Sequence, residues 1–153
     1  MCLSKIKKWI CSDLADSDVP LPDIVGKIDY NSLYTILKAE YGEDVVIFLP
    51  DECYELATME SFKSFLNHDK TDLYKYTGDP GLDCDDYAAI LHGRGSIPEW
   101  ATVPIGTIWL STPPHAVNIF IDEEVTPYLV EPQSDQIFRI NEKNGWKAQI
   151  IWF

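Results

Sequence analysis

Residues 115 to 131 read His115-Ala116-Val117-Asn118-Ile119-Phe120-Ile121-Asp122-Glu123-Glu124-Val125-Thr126-Pro127-Tyr128-Leu129-Val130-Glu131. Two apolar runs flank a polar stretch, the pattern of two strands joined by a loop over 122–127. The short connection predicts an antiparallel hairpin. Setting His115 opposite Glu131 centres the turn on Glu123, among the loop residues. Opposed residues share a face of the sheet, with Cβ atoms roughly 5 Å apart. In that register the carboxylate accepts the imidazole N–H, fixes its tautomer and stabilises the charged ring.

Further strand-like runs surround this hairpin: 107–110 before it, 136–140 and 148–153 after it. Pro113-Pro114, Pro132 and Asn144-Gly145 separate them, and Asn-Gly is a strong hairpin signal. The earlier half reads differently. Leu33, Ile36, Leu37 and Tyr41 recur at helical spacing, with Asp29 or Asn31 to cap the start and Gly42 to end it. Val45 to Leu49, ended by Pro50, predicts a short buried strand. Phe62, Phe65 and Leu66 predict a short helix after Thr58. Cys84 to His92 predicts another, closed by Gly93. Helices first and a strand meander afterwards predict an α+β fold. The whole of 1–153 is expected to form one domain: a lead-in over 1–28, a helical half over 29–93 and an antiparallel sheet over 94–153.

The 153 residues carry 25 acidic and 12 basic side chains, a net charge of −13. Such a field repels nucleic acid, so no nucleic-acid partner is expected. Hydrophobic residues make up 46%, enough for a core without metals or disulfides. The four cysteines, Cys2, Cys11, Cys53 and Cys84, match neither a zinc site nor a disulfide scaffold. No signal peptide or membrane span is legible. The chain is therefore expected to be cytoplasmic, or released by lysis or as a phage product.

Cys84 stands where a loop becomes a helix. Pro80-Gly81 breaks the chain and Asp83 is a good N-cap residue. Backbone N–H groups and the helix dipole in the first turn favour a thiolate and an oxyanion. Asp83, Asp85 and Asp86 oppose this by like charge, so a nearby imidazolium has to offset them. Cys53 is expected near the core, and Cys2 and Cys11 lack a helix-start context, which leaves Cys84 as the fast-reacting thiol. The alternation Asp79, Asp83, Asp85 lacks the spacing and closing glutamate of a calcium loop. Of the three histidines, His68 lies in a polar loop and His92 at a helix C-terminus. Neither forms a zinc-ligand pattern with His115, and no metal is expected.

Three runs, Asp83-Cys84-Asp85-Asp86-Tyr87-Ala88, His115-Ala116-Val117 and Tyr128-Leu129-Val130-Glu131-Pro132, come in an order that resembles the transglutaminase-like branch of the papain-like cysteine peptidase superfamily. The resemblance covers about residues 70–140. It implies N-terminal helices with the nucleophile helix packed on an antiparallel meander. It further implies a cysteine hydrolase or acyltransferase working through Cys84, His115 and Glu131 on an amide, ester or isopeptide bond, with a thioacyl intermediate and no cofactor. The implied substrate is a peptide, protein or peptidoglycan amide. Glutamate as third member departs from that family's aspartate or asparagine. No glutamine precedes Cys84, so Tyr74 or Tyr76 is the candidate oxyanion donor, with Gln133 supporting from the other side. Pro104-Ile105-Gly106-Thr107-Ile108-Trp109-Leu110 before His115 also resembles the cysteine–histidine peptidoglycan hydrolases. A non-catalytic acidic binding protein on the same scaffold is the alternative from another class.

Overall fold

The computed structural model describes residues 18–78 and 80–153. Cys2, Cys11, Asp79 and most of the expected lead-in lie outside them. The described chain runs β1 (Ile24–Asp29), α1 (Tyr30–Tyr41), β2 (Val46–Phe48), β3 (Cys53–Ala57), α2 (Met59–His68), α3 (Cys84–Gly95), β4 (Ile105–Thr112), β5 (Pro114–Ile121), β6 (Pro127–Glu131), β7 (Gln136–Phe138) and β8 (Lys147–Trp152). Short 3₁₀ turns lie at Thr71–Leu73 and Ile140–Glu142.

The helix signals act where the local chemistry placed them. Asp29 caps α1 by accepting from Ser32 N at 3.1 Å, and Gly42, at φ 104°, ends it. Thr58 caps α2 through Ser61 N. Asp83 caps α3, where its own N–H donates to the Asp86 carboxylate at 3.1 Å. Gly93 does not close that helix, which continues to Gly95 because a lone glycine costs a helix only about 1 kcal/mol.

The architecture departs from the expected one in three ways. The earlier half is not helical throughout: it supplies β1, β2 and β3, with β1 paired antiparallel to β3 in a two-stranded ribbon. β1 also takes up part of the stretch read as lead-in. The main sheet is not an antiparallel meander. Its order is β2-β8-β4-β5-β6-β7, and β2 runs parallel to β8. Asn144-Gly145 makes no hairpin, because β7 and β8 stand apart in that order. Instead the 139–146 connection carries the chain across to β4. Finally, β2 is an edge strand with Val46 and Phe48 exposed, not a buried one. The physical reason is common to all three: periodicity identifies strands but not their neighbours. The described residues are mostly sheet with three α-helices, and the papain-like arrangement expected from the resemblance does not stand.

Each sheet face buries its own apolar layer. Ile108, Leu110, Val117, Ile119 and Leu129 pack beneath Leu33 and Leu37 of α1 and Ile28, Tyr54 and Leu56 of the ribbon. On the other face, Ile105, Phe120 and Val130 pack against Phe62, Phe65 and Leu66 of α2, Leu91 of α3, and Trp100. Among the described residues, no helix is long and apolar enough to cross a membrane.

Candidate functional site

β5 and β6 pair with Asn118 opposite Val130 and Ile121 opposite Pro127. This register centres the turn on Glu124, one residue later than expected. Continued one step, it sets Glu131 opposite Val117, so His115 and Glu131 meet on the diagonal. Diagonal neighbours remain within reach of long side chains. The contact forms all the same: His115 Nε2 lies 2.8 Å from Glu131 Oε2, with both side chains about one-fifth exposed. The extra methylene of glutamate, compared with aspartate, spans that diagonal. Glu131 Oε1 is buried and without a hydrogen-bond partner among the described residues.

Trp146 packs edge-on against the His115 ring, with centroids 5.9 Å apart. Trp146 in turn meets Phe138 edge-on and carries Lys143 over its ring. The sequence reading missed this residue, since only the 139–146 crossover brings it beside β5. With Nε2 engaged by Glu131, Nδ1 is the nitrogen left to face a second partner.

Cys84 approaches from the other face. Asn118, completely buried, donates from Nδ2 to the Ala88 carbonyl at 2.8 Å and to the Gly106 carbonyl at 3.0 Å. Farther along, Gly95 lies so close to Ile105 that a Cβ there would fall 3.0 Å from its Cγ2. Ile105 pairs with Phe120, so α3 runs in the same sense as β5. Cys84 precedes Ala88 by one turn, about 6 Å of helix rise. That distance equals about two residues of strand, which sets Cys84 level with Ala116, beside His115 in the chain. By alternation, Ala116, Asn118 and Phe120 face α3, whereas His115, Val117 and Ile119 face the opposite layer. The helix start and the imidazole therefore occupy the same end of the sheet but arrive from its two faces. The Cys84 thiol is free and half-buried. Cys53, expected near the core, is instead exposed at the start of β3.

The supporting residues are placed as follows. Tyr76 is exposed and stacks on Tyr87, centroids 6.4 Å apart, and Tyr87 donates its hydroxyl to the Tyr74 carbonyl. Both tyrosines thus lie beside the first turns of α3. Gln133 is half-buried in the turn just past Glu131. The ligand atoms of Asp83, Cys84 and Asp85 lie within 4.8 Å of one another, a spacing a metal ion could bridge. A hydrogen bond with Asp85 is the main cause holding the Asp83 carboxyl above its ordinary range.

No protein-family model and no curated protein matches this chain. Several solved structures resemble it, two of them as follows. One is PSL1a in complex with E64, at 18% identity and a TM-score of 0.69, covering 83% of this chain and 50% of that one. The other is Polyporus squamosus lectin bound to the human-type influenza-binding epitope Neu5Acα2-6Galβ1-4GlcNAc, at 19% identity and a TM-score of 0.68, covering 83% and 49%. This chain spans about half the length of either, and at such identity the likeness establishes the fold.

One of these neighbours bears a lectin's name, and neither bears that of a transglutaminase-like or papain-like peptidase. The family expectation is corrected accordingly. With it go the expected hydrolase or acyltransferase activity, the thiol-protease description and the peptide, protein or peptidoglycan amide substrates. The runs behind the resemblance were short, and each has an ordinary structural use. A small residue follows an N-cap, and polar residues begin and end buried strands. What the chain shares with these two structures is a fold that spans about half of each.

Proposed function

We propose that this chain is a single-domain ligand-binding protein whose site comprises Cys84, His115 and Glu131, with Tyr76 and Gln133 at its margins. The reading asserts capture of a ligand, not turnover. The observation that carries it is the 2.8 Å contact of His115 Nε2 with Glu131 Oε2 at the end of the sheet where α3 begins. The fold likeness to a chain that holds E64 adds support. A thiol with an imidazole at the same end of the sheet suits an electrophilic ligand such as an epoxide. His115 Nδ1 takes the Cys84 proton and the sulfur attacks an epoxide carbon. The C–S bond forms as the C–O bond breaks, and the imidazolium returns the proton to the departing oxygen. Glu131 steadies the charged ring between those steps. The thiol must stay reduced, which fits cytoplasmic residence.

Intact-mass analysis after incubation with E64, followed by peptide mapping, tests this reading. One adduct on Cys84, absent from Cys84→Ala, is expected. No adduct, or an adduct confined to Cys53, contradicts it.

A second reading rests on a different feature. Phe48, Trp109, Ile150 and Trp152 line an open apolar groove of about 450 Å³, with Gln149 at its edge. Exposed aromatic faces with a few polar neighbours suit the apolar side of a pyranose ring, and the lectin neighbour holds a glycan. The net charge of −13 favours a neutral saccharide over a sialylated one. Titration should show Galβ1-4GlcNAc binding more tightly than its Neu5Ac-bearing form, and Trp152→Ala should abolish it. Equal or absent binding of both contradicts this reading.

A further inference from the structure

A polar seam lies under α3 inside an otherwise apolar interface. Asn118 is fully buried and Thr107 nearly so. Asn118 Nδ2 reaches the Ala88 carbonyl at 2.8 Å, and Thr107 Oγ1 reaches the same carbonyl at 3.5 Å. Thr107 Oγ1 also lies 3.1 Å from His92 Nδ1, one turn farther along α3. In a regular helix the Ala88 carbonyl already accepts from the backbone N–H four residues on. These side chains therefore add nothing the helix lacked and instead tie one point of its backbone to β4 and β5. Asn118 gains little stability for this. Its Oδ1 is buried with no hydrogen-bond partner among the described residues, a cost a leucine there would avoid. Apolar contacts are non-directional and leave a helix free to slide or tilt. A hydrogen bond to one named carbonyl does not.

We infer that Asn118 and Thr107 are positioning residues: they set the height of α3 along β5 and so hold Cys84, one turn before Ala88, level with the end of β5 that carries His115. This rests on the reading of Cys84 as the capturing thiol. The two groups come from opposite faces of the sheet, so the end of β5 is where α3 can bring the thiol level with the ring. A slip of one strand residue, about 3.3 Å, would separate them.

The test is the iodoacetamide reaction rate of Cys84, followed by peptide mapping at pH 6 and pH 9 in wild type, Asn118→Leu, Thr107→Val and Thr107→Ser. At pH 6 reaction depends on the imidazole, whereas at pH 9 the thiol ionises unaided. Asn118→Leu and Thr107→Val should lose about tenfold or more at pH 6 and stay within about twofold of wild type at pH 9, because misplacement of about 1 Å is that costly. Thr107→Ser, which keeps the hydroxyl, should match wild type at both. Wild-type rates at pH 6 in Asn118→Leu and Thr107→Val overturn the inference while leaving the site reading intact. A wild-type Cys84 that reacts at pH 6 no faster than free cysteine overturns the site reading, and the inference with it. Should Asn118→Leu fail to fold, Thr107→Val, nearly equal in volume to threonine, decides alone by the same criterion.

Discussion

On one face of the main sheet, α1 and the β1–β3 ribbon rest on an apolar layer of leucine, isoleucine and valine. On the other, α3 lies over Asn118 and Thr107, which bond into its backbone. The first interface gains area and the second gains register. The comparison explains why the candidate site sits where it does. The His115–Glu131 pair belongs to the apolar face and is held by a diagonal 2.8 Å contact and by Trp146. Cys84 belongs to the bonded face, where a helix start can be held at one height.

The comparison can be broken most severely at Phe120, whose ring stacks on Phe62 with centroids 3.9 Å apart. Phe120→Ala should cost about 3–5 kcal/mol, read from urea unfolding, and should loosen α2 and α3 together. A loss below about 1 kcal/mol would mean that the helical face is not packed as described. Gly106→Ala probes the sheet between the faces. A Cβ there would fall 2.4 Å from the Trp152 carbonyl oxygen, so β4 and β8 must part and about 1–3 kcal/mol should be lost.

A smaller effect of opposite sign is expected at Asp135, in the turn between β6 and β7. Burial, then the charges of Asp72 and Asp69, push its carboxyl up to about 6. The folded state therefore favours the protonated form, and its advantage is lost as pH rises from the unfolded value near 4 through 6. Asp135→Asn keeps a residue tolerant of the local φ of 54°. It should stabilise by on the order of 1 kcal/mol at pH 7, discounted for partial exposure, and by almost nothing at pH 4. Thermal unfolding at the two pH values checks this, and equal shifts at both would contradict it. The smallest effect concerns His92, whose pKa is lowered by burial. Its neutral form contributes stability above the unfolded value of 6.5, and this is lost as pH falls below it. His92→Gln should flatten the decline in stability between pH 7 and pH 5.

The sequence made particular parts of this legible. Asp83, and Asp29 as one of two candidates, declared helix starts because capping is local chemistry, while the helix after Thr58 was read from its apolar spacing. His115 and Glu131 were found as a pair because two strands with a short loop between them have few registers. The register itself was off by one residue at the turn, and only the length of glutamate kept the contact. Strand order was not legible. Nothing local in Val46–Phe48 or Lys147–Trp152 announces that they pair in parallel at one edge. The family resemblance failed because its motifs were strand and helix ends that many folds share. Asn118 was read only as part of the apolar run 116–121; its bonds to the Ala88 and Gly106 carbonyls emerge from the packing of α3 on the sheet.

The central claim is that Cys84, His115 and Glu131 act as one unit across the end of the sheet. The most direct measurement is the full pH profile of Cys84 alkylation by iodoacetamide in wild type, His115→Ala and Glu131→Gln. The account predicts a wild-type rate sustained down to about pH 6. His115→Ala should follow the ordinary thiol ionisation near pH 8.5, with Glu131→Gln in between. Three superimposable profiles, each rising only near pH 8.5, would contradict it.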